Sequence, residues 1–235
     1  DYTTYVATAT AALDQNIKDI ASWQNIPDNV AAGYRAQYEI QNSWLGKDIG
    51  QLEIILSMLN GMNGAGIQVG LQHTYSRGSI MINSTNPFDY PAIDPNYFGM
   101  GYDVDILNKG LEWARTLGAT DPMSTFIAEE TLPGANVTGT DLNTFIYTSS
   151  GTEYHPLGTC AMLPQSSGGV VDTTLKVSGT NNVRVVDCSI MPMQISAHLM
   201  ASAYGIAEKA ADMIKAAHAY VPPASVTSST SSFVS

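Results

Sequence analysis

Two histidines, His155 and His198, are the residues of this sequence whose type and setting could carry out proton chemistry. Tyr154 and Pro156 flank His155 and restrict its backbone, and the following Gly158 permits close approach of a ligand. An imidazole titrates near neutral pH, so it can act as a general base or acid. On this setting alone, a structural role for either histidine stays open.

The histidines occur in two segments with a distinctive order of residues. Residues 152–162 are Thr-Glu-Tyr-His-Pro-Leu-Gly-Thr-Cys-Ala-Met, and residues 183–200 are Val-Arg-Val-Val-Asp-Cys-Ser-Ile-Met-Pro-Met-Gln-Ile-Ser-Ala-His-Leu-Met. Together they closely resemble the C-terminal signature of the glucose-methanol-choline (GMC) family of flavin-dependent alcohol oxidoreductases. Residues 76–83 and 91–98 also resemble the substrate domain of that family.

The resemblance implies a reaction and a cofactor. FAD would oxidise a primary alcohol or a sugar hydroxyl by accepting a hydride at flavin N5, while the hydroxyl proton goes to a base. By resemblance His155 is that base, and His198 positions the hydroxyl or shares its proton. A positioned base contributes roughly 10²–10⁴-fold to such a reaction.

The resemblance also implies that backbone groups at Asp187, Cys188, Leu199 and Met200 contact the flavin. A helix predicted to begin near Ser196 would direct its N-terminal amides at the flavin edge where negative charge develops. Many relatives have Gly where this sequence has Cys188, which retains an amide contact but disfavours a positive φ. Without the resemblance, Asp187 could be an ordinary carboxylate that caps a turn.

Four further residues acquire candidate roles by resemblance. Glu153 and Tyr154, just before the predicted base, are expected to contact the substrate. Sugar-oxidising relatives have Arg and Asn at the positions of Gly151 and Glu153, so glucose specificity is in doubt and a neutral or aromatic primary alcohol fits as well. Lys176 and Val177 correspond to the oxygen pocket of such relatives, although Lys176 could equally be a surface lysine.

Helical periodicity predicts the elements that would position these residues. Four stretches carry apolar residues at helical spacing: residues 4–24, 30–38, 104–117 and 196–217. Asp141 is predicted to be the N-cap of a further short helix that ends near residue 147.

Strand predictions rest on shorter patterns. The apolar run at 50–59 fits a buried strand or a helix, because periodicity does not separate them. Residues 76–83 are predicted as a strand, and the β-branched run 183–187 as a buried strand of a parallel sheet. The glycines within 61–70 miss the spacing of a dinucleotide-binding motif, so we predict a flexible turn there.

The predicted fold is a mixed α+β and α/β arrangement of the GMC type. Residues 1–150 are predicted to form mainly a substrate domain of an antiparallel sheet with helices. Residues 151–218 would supply the catalytic segment and the C-terminal strand and helix of a Rossmann-like FAD domain, and residues 219–235 a Ser/Thr/Pro tail. No glycine-rich strand–turn–helix unit for the ADP part of FAD occurs in the sequence. We therefore expect the N-terminal FAD-binding half of the enzyme to be a separate chain, from a split or proteolytically nicked enzyme.

Composition restricts the partners. The net charge of −11 disfavours nucleic acid and anionic membrane surfaces. No metal site is predicted. Cys160 and Cys188 could form one disulfide, but we favour two free thiols because each lies in a segment predicted to line the flavin site. The sequons at Asn83 and Asn136 are compatible with glycosylation and favour a secreted enzyme.

Two other functions stay open. GMC-like lyases and cyclases keep the fold and the flavin without net redox chemistry, and turnover that leaves the flavin oxidised would distinguish them. A catalytically inactive remnant with a binding or structural role belongs to a different class. The presence of both His155 and His198 argues against that remnant.

Overall fold

A computed structural model describes residues 26–58 and 64–218, together with positions 7, 8, 11, 15 and 17–19. Those few N-terminal positions are helical, and the rest of the helix predicted for residues 4–24 lies outside the described residues. The predicted tail, residues 219–235, lies outside them as well. Among the described residues, no helix is both long enough and apolar enough to span a bilayer.

The helices predicted at 30–38 and 104–117 are confirmed, and both are longer than predicted. Between residues 26 and 218, the described chain contains the α-helices α1 Asp28–Trp44, α2 Gly101–Gly118, α3 Gly139–Ser149 and α4 Met200–Ala217. The prediction that Asp141 caps α3 was wrong. Thr138 occupies the N-cap position, and the amide of Asp141 donates to its carbonyl from within the first turn.

Two antiparallel strand pairs form the sheets. Strands β1 (Leu52–Met58) and β2 (Ala65–Leu71) make a hairpin, and β3 (Ser79–Met81) pairs with β4 (Ala92–Asp94). The apolar run at 50–59 is therefore a strand. The flexible turn predicted for the glycine-rich segment was wrong from residue 65 onward, because pairing with β1 makes the segment extended.

Helix α2 packs on one face of the hairpin. A Cβ added at Gly110 would lie 2.5 Å from Val69 Cγ1 and 2.7 Å from Leu52 Cδ1, so glycine permits this close approach. Side chains alternate between the two faces of a strand, so Glu53 and its partner Gly70 lie on the opposite face. The hairpin thus directs Glu53 away from α2.

Helix α1 supports the chain that follows the hairpin. The rings of Tyr38 and Tyr75 stack with centroids 5.7 Å apart, in a core that includes Met100. The buried carboxylate of Asp103 accepts hydrogen bonds from the amides of Tyr75 (2.7 Å) and Ser76 (2.9 Å). Burial raises the pKa of Asp103, and hydrogen bonds from the Ser76 hydroxyl and these amides oppose that rise. The segment after β2 is therefore firmly held.

Helix α4 packs against segments of irregular structure, and not against a sheet. Ala210 lies in a core with Val171, Leu175 and Ile190. The strand predicted at 183–187 was wrong in the part of the chain described here. Its only pairing is an isolated antiparallel bridge between Lys176 and Arg184, because no described strand lies beside it in parallel.

Candidate active site

The two histidine-bearing segments are joined by their main chains. The amide of Cys160 donates to the carbonyl of Ser189 (2.9 Å), and the amide of Met162 donates to that of Ile190 (2.8 Å). Gly158, with φ +86°, makes the turn between His155 and this junction. These bonds place the segment after His155 against the one that begins at Asp187.

His155 and His198 contact one another directly. Nδ1 of His198 lies 3.2 Å from Nε2 of His155, and the rings meet edge to face with centroids 4.7 Å apart. The side chain of His155 is 19% exposed and that of His198 is 54% exposed. The pair is therefore partly sheltered on the His155 side and open on the other.

Each outer nitrogen of the pair faces a carboxylate. His198 Nε2 lies 2.8 Å from Glu53 Oε1, and His155 Nδ1 lies 3.8 Å from Glu153 Oε2. The second distance exceeds a hydrogen bond, and His155 Nδ1 is buried without a hydrogen-bond partner. An ionised carboxylate accepts hydrogen bonds and donates none, so the 2.8 Å contact with Glu53 assigns His198 Nε2 as N–H.

This assignment gives the inner nitrogens a simple chemistry. His198 Nδ1 then carries a lone pair, and so does His155 Nε2 when its ring is protonated on Nδ1, with 3.2 Å between the two nitrogens. One proton between these nitrogens makes the contact a hydrogen bond, and a second proton there has no acceptor. In that tautomer the pair can take up one proton, and the two carboxylates can balance the positive charge that it brings.

Gln72 connects the two carboxylates. This buried side chain donates to Glu53 Oε2 (2.8 Å) and lies 3.5 Å from Glu153 Oε2, the limit of a hydrogen bond. Its carbonyl accepts from Gln194, on the loop that leads to His198 (3.2 Å). Gln72 thus links the hairpin, the His155 segment and the His198 loop.

An open cavity of about 560 Å³ borders His155. The four residues predicted to contact a flavin all line it, as does the exposed side chain of Tyr154. The lining includes His155, Tyr154, Asp187, Cys188, Leu199 and Met200. The structure therefore brings these predicted residues together around one space.

The end of α4 at this cavity fits an anionic group. The helix begins at Met200 and not near Ser196, with Leu199 as an N-cap that offers no side-chain bond. The first amides of a helix have no partner within it and carry partial positive charge. The carboxylate of Asp187 accepts a hydrogen bond from the amide of Ser189 (2.8 Å) and so caps the short turn that follows, as an ordinary turn-capping residue does. Asp187 nevertheless lines the cavity.

Lys176 and Val177 lie elsewhere. Neither is among the residues that line the cavity, and Val177 packs against the core that contains Leu175. An oxygen-site role for this pair stays a prediction. Cys160 and Cys188 are free thiols. Within the described ranges, no group of three or more His, Cys, Asp or Glu is arranged to hold a metal ion.

Sequence reasoning missed Glu53 and Gln72. Glu53 is the one charged residue within the apolar run of β1, a signal that its side chain leaves the apolar face. Gln72 follows β2 and carries no such signal. Their contacts depend on the hairpin register, which places both beside segments far along the chain.

Comparisons with known proteins agree with one another. A family profile described as GMC oxidoreductase matches residues 74–207. A GMC oxidoreductase family protein, Mala s 12, from Malassezia sympodialis is 43% identical over 204 residues, which are 86% of this chain and 33% of that protein. A glucose oxidase-like protein, fsoC, from Humicola fuscoatra is 39% identical over 145 residues, 61% of this chain and 25% of that protein.

The fold has solved counterparts. A structure of a fungal aryl-alcohol oxidase matches with a TM-score of 0.79 and 33% identity, over 93% of this chain and 37% of that one. The chain thus spans between a quarter and somewhat over a third of the length of these relatives. The mixed helix and sheet arrangement is that of a GMC-type substrate domain.

Proposed function

The chain belongs to the GMC oxidoreductase family, and we propose that it forms the substrate-facing part of an FAD-dependent oxidoreductase acting on a primary alcohol or a sugar hydroxyl. The observation that carries this proposal is the histidine pair. It provides a site for one proton beside an open cavity whose lining suits a flavin edge.

FAD, when bound, supplies the oxidant by accepting a hydride from the carbon that bears the hydroxyl. Main-chain groups at Asp187, Cys188, Leu199 and Met200 would hold its edge, because all four residues border the cavity. The free amides at the start of α4 favour negative charge there.

The residues of this chain then manage the hydroxyl proton. Nε2 of His155 accepts this proton. Nδ1 of His198 accepts a hydrogen bond from the same O–H group, which positions the hydroxyl, and it shares the proton after the transfer. Glu53 keeps the outer proton on His198 and stabilises the positive charge that forms, as orienting carboxylates do for other catalytic histidines. Tyr154 lines the cavity and Glu153 lies 3.8 Å from His155, and both would contact the substrate.

The remainder of the flavin site would come from a dinucleotide-binding region that these residues do not include. We propose that this region is the N-terminal half of the same enzyme, on a separate polypeptide. We also propose secretion, since the side chains of both sequon residues, Asn83 and Asn136, are exposed and available for glycosylation. Removal of N-glycans should lower the mass of the native protein if this holds.

The test is an absorption spectrum of the native protein, with its polypeptide masses measured under denaturing conditions. We expect flavin bands and a second polypeptide that co-purifies. One longer polypeptide with the same bands would contradict the separate chain and keep the enzyme. A colourless protein would contradict the proposed function.

A further inference from the structure

A third histidine, His73, contacts the loop that carries His198. It follows β2 and is only 3% exposed. Its Nε2 lies 2.9 Å from Ser196 Oγ, and Ser196 Oγ donates to the carbonyl of Gly50 (2.8 Å). Ser196 stands two positions before His198, and Gly50 just precedes β1, which carries Glu53.

The hydrogen bonds fix the tautomer of His73. A serine hydroxyl has one proton, and the carbonyl of Gly50 accepts it, so Nε2 of His73 must donate to Ser196 Oγ. The other nitrogen, Nδ1, is buried without a hydrogen-bond partner. Burial lowers the pKa of His73, although the nearby carbonyls of Gln194 and Gly50 oppose this effect. The contact therefore requires a proton on Nε2, and burial favours the neutral ring with Nδ1 unprotonated.

The surroundings hold His73 in this position. Its ring packs on the indole of Trp44 at the end of α1, with centroids 4.8 Å apart. The preceding residue, Gln72, contacts both Glu53 and Gln194. Two consecutive side chains, those of Gln72 and His73, thus bind the loop at Gln194 and Ser196.

We propose that His73 is a positioning residue that, through Ser196, fixes the His198 loop to the start of β1 and so sets the contact between His198 and Glu53. This inference rests on the proposed proton-handling role of His198. Without the bond to Ser196, the loop has one fewer tie to the hairpin, and His198 can move away from Glu53 and His155.

The test uses the complete flavin-loaded enzyme and a matched pair of amides. Gln places its amide nitrogen where His has Nε2, whereas Asn places it where His has Nδ1. We compare His73→Gln, His73→Asn and Ser196→Ala, with His218→Gln as a control at an exposed histidine outside the site. The readouts are kcat, KM and the ¹⁵N spectrum of His198, which reports its tautomer.

We expect kcat to fall about 10- to 100-fold in His73→Asn and Ser196→Ala, because small displacements of a catalytic group have effects of this size. KM and flavin content should stay unchanged, the His198 spectrum should change in both variants, and His73→Gln should restore kcat and the spectrum. The kcat of the double variant His73→Asn, Ser196→Ala should be no lower than that of either single variant.

Equal losses in His73→Gln and His73→Asn, or an unchanged His198 spectrum in Ser196→Ala, would overturn the proposal. If the complete enzyme oxidises no alcohol, the proposed function fails separately. The His198 spectrum then still decides whether His73 and Ser196 position that ring.

Discussion

His198 Nδ1 lies 3.2 Å from His155 Nε2, and the two rings meet edge to face. This contact joins two residues 43 positions apart in the sequence, and the proposed mechanism requires both of them to handle one proton. Each ring directs one nitrogen at the other ring and its second nitrogen at a carboxylate, Glu53 for His198 and Glu153 for His155. Together they form an acceptor flanked by two carboxylates, which is an arrangement suited to take a proton from a hydroxyl group.

Glu53→Gln should lower kcat about tenfold, which corresponds to roughly 1.4 kcal/mol of transition-state stabilisation. The amide can still accept from His198 Nε2, but it lacks the negative charge that balances the proton gained by the pair. The matched control is Glu112→Gln, since Glu112 forms only an exposed ion pair with Lys109. Steady-state kinetics that show equal kcat for the two variants would refute the role of Glu53.

Gly70→Ala should disturb the site without unfolding the protein. Its Cβ would lie 1.7 Å from Glu153 Oε1, the far end of a flexible side chain that can move away. We expect a changed KM for the alcohol and a smaller loss of unfolding free energy than in a variant whose new Cβ meets packed core side chains.

Gly110→Ala, in contrast to Gly70→Ala, should lower the unfolding free energy of the protein. There the new Cβ meets Val69 and Leu52 within the interface between α2 and the hairpin. Overpacking of this kind costs about 1–3 kcal/mol. Chemical denaturation and kinetics on both alanine variants separate the two effects. A Gly70→Ala protein as destabilised as Gly110→Ala would show that Glu153 is structural.

Acidification should destabilise the protein through His73. Burial lowers its pKa from the usual 6.5, so below that pH the unfolded chain binds a proton that the folded chain does not. By linkage, stability present at neutral pH is then lost as the pH falls from 6.5 toward the lowered pKa of His73. Chemical denaturation across this pH range measures the unfolding free energies of wild type and His73→Gln. On acidification the unfolding free energy of wild type should fall relative to that of the variant. A pH-independent difference would mean that His73 protonates equally well in both states.

Local pattern was enough to identify the helices and the histidine segments. Apolar spacing located α2 because that helix buries one face on the hairpin, and the residues around His155 and His198 carry their motif within short stretches. The site was therefore partly predictable from the chain itself.

Contacts between segments far apart in the sequence determine the features that local pattern did not predict. The segment from Ala65 reads as a glycine-rich turn, yet cross-strand bonds to β1 make it a strand. Ser196 was expected to begin a helix, but its hydroxyl bonds Gly50 and His73, and α4 begins at Met200. Glu53 reaches His198 only because the hairpin register places it there, and no local pattern encodes that register.

The central claim is that His155 takes the proton during flavin-linked oxidation of a hydroxyl group. It is tested by rapid anaerobic mixing of the complete flavin-loaded enzyme with benzyl alcohol or glucose, while the visible absorbance of the flavin is followed. We predict that wild type bleaches and that His155→Ala, with equal flavin content, bleaches about 10²–10⁴-fold more slowly. Equal bleaching rates in the two proteins, or no bleaching of wild type by any primary alcohol or sugar, would contradict the claim.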